Sequence, residues 1–179
     1  MKQQVVAAGQ GLDYDWSQDH ISVKTPMELT DGRVSVVEDV LKPGFHLPAH
    51  RHRSMVEIFY ILEGEVTFAF EDETVIATPG TTVTVPPNLR HEVTCPGGGR
   101  LVTIFTPGGF DRYLAELATL TPVQLDDAEF IRELGERYDI WQETSWDRGL
   151  ERCSLVTELG QPQRMRALST KPTGSSVAW

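Results

Sequence analysis

The feature that most constrains this chain is a train of short apolar runs between residues 21 and 106. They read "ISVK", "RVSVVEDVL", "EIFYIL", "EVTFAF", "TVIAT", "TTVTVP", "HEVTC" and "RLVTIFT". Each is rich in β-branched or aromatic residues, and Gly, Pro or Asp punctuates the sequence between them. Runs of this length are too short for typical helices and suit strands whose side chains point alternately to two faces. Eight in succession predict antiparallel pairing in an all-β sandwich or barrel. Turn residues predict hairpins at Glu63-Gly64 and at Glu71-Asp72-Glu73.

The period changes after "TPGGF". The segments "DRYLAELATL" and "DDAEFIRELGERY" repeat apolar residues at helical spacing, through Tyr113, Leu114 and Leu117 and through Phe130, Ile131 and Leu134. Asp126 and Asp127 suit the positive end of the second helix. The expectation is one domain over residues 1–179: a β-barrel over about 20–107, a helical appendage over about 108–140 and a C-terminal arm over 141–179. Residues 1–20 read as polar and turn-rich. Trp141, Trp146 and Trp179 are expected to anchor the arm to the barrel or to a second subunit.

Charge narrows the partners. A formal net charge of −10 and a pI of about 4.9 disfavour nucleic acid and anionic membrane surfaces. No stretch approaches the roughly 20 apolar residues of a membrane-spanning helix, and the N-terminus lacks the apolar core of a signal peptide. With only Cys95 and Cys153, no disulfide framework is implied, so the expected location is cytoplasmic.

Within this frame four polar residues stand out. His50 and His52 alternate, which on a strand puts both imidazoles on one face about 6.6 Å apart. Glu57 lies an odd number of residues beyond His52, so a turn or bulge at Arg53-Ser54 is needed to bring it back to the same side. His91 follows Pro86 and returns to the same centre. A lone His-x-His would be read as ordinary loop residues. Three imidazoles and a carboxylate with these spacings, in an all-β chain, instead suit a divalent metal of borderline softness such as Fe, Mn, Ni, Co or Zn.

The segments Gly44-x5-His50-x-His52-x4-Glu57-x6-Gly64 and Gly80-x5-Pro86-x-Asn88-x2-His91 resemble the two motifs of the cupin superfamily. Flanking sequence over roughly residues 20–140 resembles small single-domain cupins of the quercetin 2,3-dioxygenase-like group. That resemblance implies a jelly-roll barrel (a double-stranded β-helix) with short C-terminal helices. It also implies one divalent metal, iron first, on His50, His52, Glu57 and His91. The activity implied is a metal-dependent dioxygenase acting on a small enol- or phenol-like substrate resembling a flavonol, with Glu57 as both ligand and catalytic base. A non-redox cyclase, isomerase or lyase and a non-catalytic small-molecule-binding barrel are the alternatives, and a homodimer is the expected assembly. The second motif departs from the pattern twice. Asn88 stands where Gly is usual and is expected to keep the left-handed turn. Cys95 stands where Asn is usual, too far along the strand from His91 to be a co-ligand and expected to line the barrel interior.

Other residues take plainer readings. His46 is read as a solvated loop residue, and Arg51 and Arg53 as outward-facing. Phe59, Ile61, Phe68 and Phe70 are read as core or pocket wall. Phe110 and Tyr113, beside Gly108-Gly109, are read as helix packing, with a lid over the pocket as the sharper alternative.

Overall fold

The structure is a computed structural model that describes residues 3–142; Trp146 and Trp179 lie outside the described residues. In chain order the first strands are β1 Leu12–Asp15, β2 Asp19–Thr25, β3 Ser35–Leu41, β4 Phe45–Arg51 and β5 Val56–Glu63. There follow β6 Val66–Ala69, β7 Thr74–Ala77, β8 Thr82–Val85, β9 His91–Cys95 and β10 Gly99–Thr106. Helices α1 Phe110–Leu117, α2 Pro122–Leu125 and α3 Ala128–Arg137 precede a short β11, Trp141–Gln142. The strands form a six-stranded sheet in the order β1-β2-β3-β10-β5-β8 and a five-stranded sheet in the order β11-β4-β9-β6-β7. All their pairings are antiparallel. This is the all-β jelly-roll architecture, with short helices after it.

Alternation along the strands decides which side chains meet. Leu41, Phe59, Ile61, Val85 and Leu101 from the larger sheet pack against Phe45, Val66, Phe68, Val93 and Cys95 from the smaller one. Each large side chain removed from water there contributes roughly 1.5–3 kcal/mol. A second cluster joins Tyr14, Trp16, Ile21, Val23, Val37 and Phe105 to Leu114, Leu117, Leu125 and Leu134 of the helices. The helical appendage therefore seals one part of the larger sheet. Among the described residues no helix is long and apolar enough to cross a membrane.

Three expectations need correction. Glu63-Gly64 is not a hairpin, because β5 and β6 belong to different sheets. It is a corner carrying the chain from one sheet to the other. Gly64 has φ +82°, and a Cβ there would meet the Gly98 carbonyl oxygen at 2.5 Å. Turn composition alone does not distinguish a corner from a hairpin. The turn at Glu71–Glu73, in contrast, does join paired strands, closed by Phe70 N–H donating to the Glu73 carbonyl at 2.8 Å. Second, the stretch read as turn-rich holds β1, whose four residues are too few to show a period. Third, the appendage has three helices rather than two. Thr121 and Gln124 form a capping box that starts α2, while Asp127 caps α3 by accepting from Glu129 and Phe130 N–H.

The larger sheet also carries an acidic pair. Asp19 of β2 pairs in register with Leu41, and Asp39 of β3 with Ile21, so the two lie diagonally across one ladder. The Oδ1 atom of each is buried and has no hydrogen-bond partner among the described residues. Burial, reinforced by the Asp15 charge and opposed by Lys42 and His20, pushes the Asp19 carboxyl up to about 6. Burial and then the neighbouring Asp19 charge push Asp39 well above the ordinary range.

Candidate metal centre

The two sheets deliver the four residues from different directions. On the smaller sheet, Leu47 pairs with Val93 but His50 pairs with His91, so β4 carries one extra residue at Pro48-Ala49. That bulge accommodates a proline, which cannot donate to a ladder, and turns both Leu47 and His50 inward. His52 lies one residue beyond the end of β4. Glu57, second in β5 on the larger sheet, is paired with Phe105 on one side and Val85 on the other. Asn88 adopts φ 66°, the left-handed turn expected of it, and its N–H donates to the His52 carbonyl at 2.6 Å.

His50, His52, Glu57 and His91 converge as a buried group, each offering one ligand atom, with all those atoms within 4.8 Å of one another. Their exposures are 4%, 3%, 3% and 0%. Donors held at about 2.1 Å around a single ion stand roughly 3–4 Å apart, so the group needs little contraction to hold one.

The donor set itself points to a cation. Each imidazole turns Nδ1 toward a main-chain carbonyl: His50 toward Pro48 at 2.9 Å, His91 toward Leu89 at 3.2 Å and His52 toward Asp139 at 2.8 Å. A carbonyl only accepts, so Nδ1 carries the proton and each neutral ring turns a lone pair on Nε2 elsewhere. His52 Nε2 and His91 Nε2 lie 3.2 and 3.0 Å from Glu57 Oε2, acceptor against acceptor unless a proton or a metal ion stands between them. Such an arrangement is costly in a buried site without a positive charge. The donor set fits a divalent metal.

The titration of the group follows from the same contacts. Burial first, and then the neighbouring His91, pushes His50 down to about 3 against the pull of Glu57, so this ring stays neutral and able to donate its lone pair. Burial disfavours the His52 cation, but Glu57 and Asp139 outweigh it and raise its pKa. Burial would likewise push Glu57 up, yet His52 and His91, when a proton stands on Nε2 in the place a metal ion would take, hold its carboxyl well below the ordinary range.

Around this group the walls are aromatic. Phe105 meets His52 edge-on at 6.2 Å between centroids, and Phe59 lies 6.3 Å from His91 and 4.9 Å from Phe68. The core readings of Phe59, Ile61 and Phe68 hold, and Phe70 packs partly buried against the same cluster. Phe110 stacks on Phe105 at 4.4 Å and Tyr113 packs beside it, the plainer of their two readings. Cys95 lines the interior, fully buried, with its thiol 3.4 Å from the Glu65 carbonyl. His46 is not a solvated loop residue: it lies half-buried in β4, does not join the centre, and has its Nε2 3.1 Å from Glu92. Arg53 is exposed and sets its guanidinium 3.2 Å over the Trp141 ring, and β11 pairs with β4, so Trp141 does anchor the chain to the barrel. Arg51 is half-buried rather than fully outward. Asp139, which sequence reasoning missed, touches His52 from the end of the helical appendage. A lone Asp after a helix carries no spacing signal that ties it to a turn more than 80 residues upstream.

No curated protein matches the chain in sequence. Residues 37–107, which contain all four convergent side chains, match the family described as the cupin domain. Over those residues, less than half of its length, the chain carries a cupin domain. Solved structures agree on the fold. An RmlC-like cupin from Shewanella frigidimarina is 23% identical over 62% of this chain and 96% of its own, with a TM-score of 0.53. A predicted oxalate decarboxylase from Thermotoga maritima is 18% identical over 58% and 99%, TM-score 0.54. The ectoine synthase of P. lautus is 20% identical over 72% and 86%, TM-score 0.51. At such identities the likeness is one of fold, and it leaves the branch of the cupin superfamily open.

Proposed function

We propose that this cupin is a metal-dependent dioxygenase acting on a small enol- or phenol-like substrate, with His50, His52, Glu57 and His91 as the ligands of one divalent metal. Iron is the first choice, with nickel, manganese, cobalt or zinc as alternatives. The observation that carries the metal reading is the convergence of three histidines, each with its proton turned away, on one ionised carboxylate. The dioxygenase step rests on the resemblance to quercetinase-like cupins. A bound divalent ion would supply acidity to an adjacent hydroxyl and, if redox-active, a path for electrons to dioxygen.

The chain's own residues divide the remaining work. His50, kept neutral by burial, would offer its lone pair to the metal. Glu57 is ionised at neutral pH and engages both histidines through Oε2; Oε1, not used in those contacts, takes the substrate proton. Phe59 and Phe105, packed against His91 and His52, exclude water from the centre. The same reading takes residues 1–179 as one cytoplasmic domain that works as a homodimer.

The test begins with elemental analysis of the purified protein beside a His50→Ala/His91→Ala control. Near-stoichiometric iron, nickel, manganese or cobalt, lost in the control, together with oxygen uptake on adding a flavonol, supports the proposal. Stoichiometric zinc that reconstitution with iron does not convert into an oxygen-consuming protein moves the reading to a non-redox cyclase, isomerase or lyase. A protein that takes up no metal from any of these salts is a small-molecule-binding barrel. Sedimentation at micromolar concentration checks assembly, and a 20.0 kDa species alone would refute the dimer.

A further inference from the structure

Two of the three histidines are oriented locally, by the carbonyl two residues upstream: Pro48 for His50 and Leu89 for His91. His52 is different. Its Nδ1–H donates to the carbonyl of Asp139, from the far end of the helical appendage. We propose that Asp139 is a positioning residue that sets two of the four metal ligands at once, making the appendage a working part of the centre. The inference rests on the metal reading above.

The geometry is specific. Asp139 follows α3 and takes a left-handed conformation, φ 66°. That conformation directs its main chain and its side chain to two targets in the same segment. The carbonyl holds the His52 ring. The carboxylate accepts from three successive main-chain donors: Oδ1 from Arg53 N–H at 2.8 Å, and Oδ2 from Ser54 at 2.8 Å and Met55 at 2.9 Å. Those three residues form the turn between His52 and the strand that carries Glu57. With the ring at one end of the turn and three N–H groups within it fixed by one residue, the separation of His52 from Glu57 is no longer free.

Asp139 is itself held in place. Trp141 Nε1 donates to Oδ1 at 3.2 Å, Ile140 N–H donates to the Gly135 carbonyl at 2.9 Å, and β11 pairs with β4. Arg53 lies over the Trp141 ring and closes the strap from the other side. An anchor for the appendage alone would not need its main-chain carbonyl on a buried imidazole.

The test uses cobalt(II) as the probe, since its visible absorption reports ligand geometry. Asp139→Asn keeps the size, the left-handed conformation and the carbonyl but sets an amide against main-chain N–H groups. Asp139→Gly keeps the backbone and removes the clamp. Both are expected to bind cobalt about 10- to 100-fold more weakly than the parent, with an altered spectrum. Asp127→Ala, which removes the cap of α3 without touching the turn, is expected to lower the melting temperature and leave cobalt affinity and spectrum unchanged. Unchanged affinity and spectrum in both Asp139 variants would overturn the proposal while leaving the metal reading intact. A parent that binds no cobalt, or a His91→Ala variant that binds it equally well, would overturn both. Should the Asp139 variants fail to fold, nitrogen NMR of the parent loaded with diamagnetic zinc still decides. The proton of His52 is expected on Nδ1 and protected from exchange, and finding it on Nε2 or in rapid exchange would overturn the assignment.

Discussion

Asp19→Asn should make the protein more stable at pH 8 and leave it essentially unchanged at pH 4. The Asp19 carboxyl rises from 3.8 to about 6 on folding, with burial as the chief cause. A group whose pKa is raised in the folded state contributes most below its unfolded value, and that contribution is lost as pH climbs through the folded value. The window is therefore pH 4 to about 6, and the cost of ionising Asp19 is complete by pH 8. At about 1.4 kcal/mol per pH unit, the rise corresponds to about 3 kcal/mol. Asp19 is half-buried and Lys42 opposes the shift, so a gain of about 1–3 kcal/mol is the expectation. Asn has the same shape and no charge to desolvate; removing the charge also relieves Asp39, whose own rise depends partly on Asp19. Urea unfolding followed by tryptophan fluorescence, with chelator present in both proteins, measures the difference at each pH. No gain at pH 8, or an equal gain at both pH values, would refute the reasoning. The Asp19→Asn/Asp39→Asn pair should gain less than the sum of the single changes, because the two share one interaction.

Gly64→Ala should destabilise by about 2 kcal/mol or more in the same assay, since the residue has φ +82° and a new Cβ would meet the Gly98 carbonyl at 2.5 Å. Phe68→Ala should cost about 3–5 kcal/mol, because Phe68 is fully buried and packs on Phe59. That loss should also weaken metal uptake, through Phe59 against His91, and normal uptake in the folded variant would separate the core from the centre.

The ligand spacing was legible because it is local. His50, His52 and Glu57 fall within one strand, one turn and the start of the next strand, and period-two alternation plus a turn already implies their convergence. His91 was legible only through the second motif, as nothing in alternation tells which strand returns beside β4. The corner at Gly64 looked like a hairpin because turn composition records a reversal and says nothing of which sheet the chain enters next. The bulge at Pro48-Ala49 and the strand β1 were missed for want of length. Asp139 and the Asp19–Asp39 pair were hidden for a different reason. Their meaning lies in contacts made by tertiary folding, and an isolated aspartate in sequence looks like any solvated charge.

The three carbonyls that take the imidazole protons belong to Pro48, Leu89 and Asp139 and come from the main chain, which every amino acid supplies. Side chains at Pro48 and Leu89 therefore need only preserve the path of the backbone, and the aromatic walls at Phe59 and Phe105 carry no part of setting the ring tautomers. A lineage built on this scaffold can exchange the side chains at Pro48 and Leu89 and keep its metal, so long as the backbone path is preserved. The exception is the segment around Asp139, where losing a single carboxylate would disturb the centre even with the backbone carbonyl in place. Directed evolution of this scaffold should accordingly accept changes at Pro48 and Leu89 and reject them at the strap.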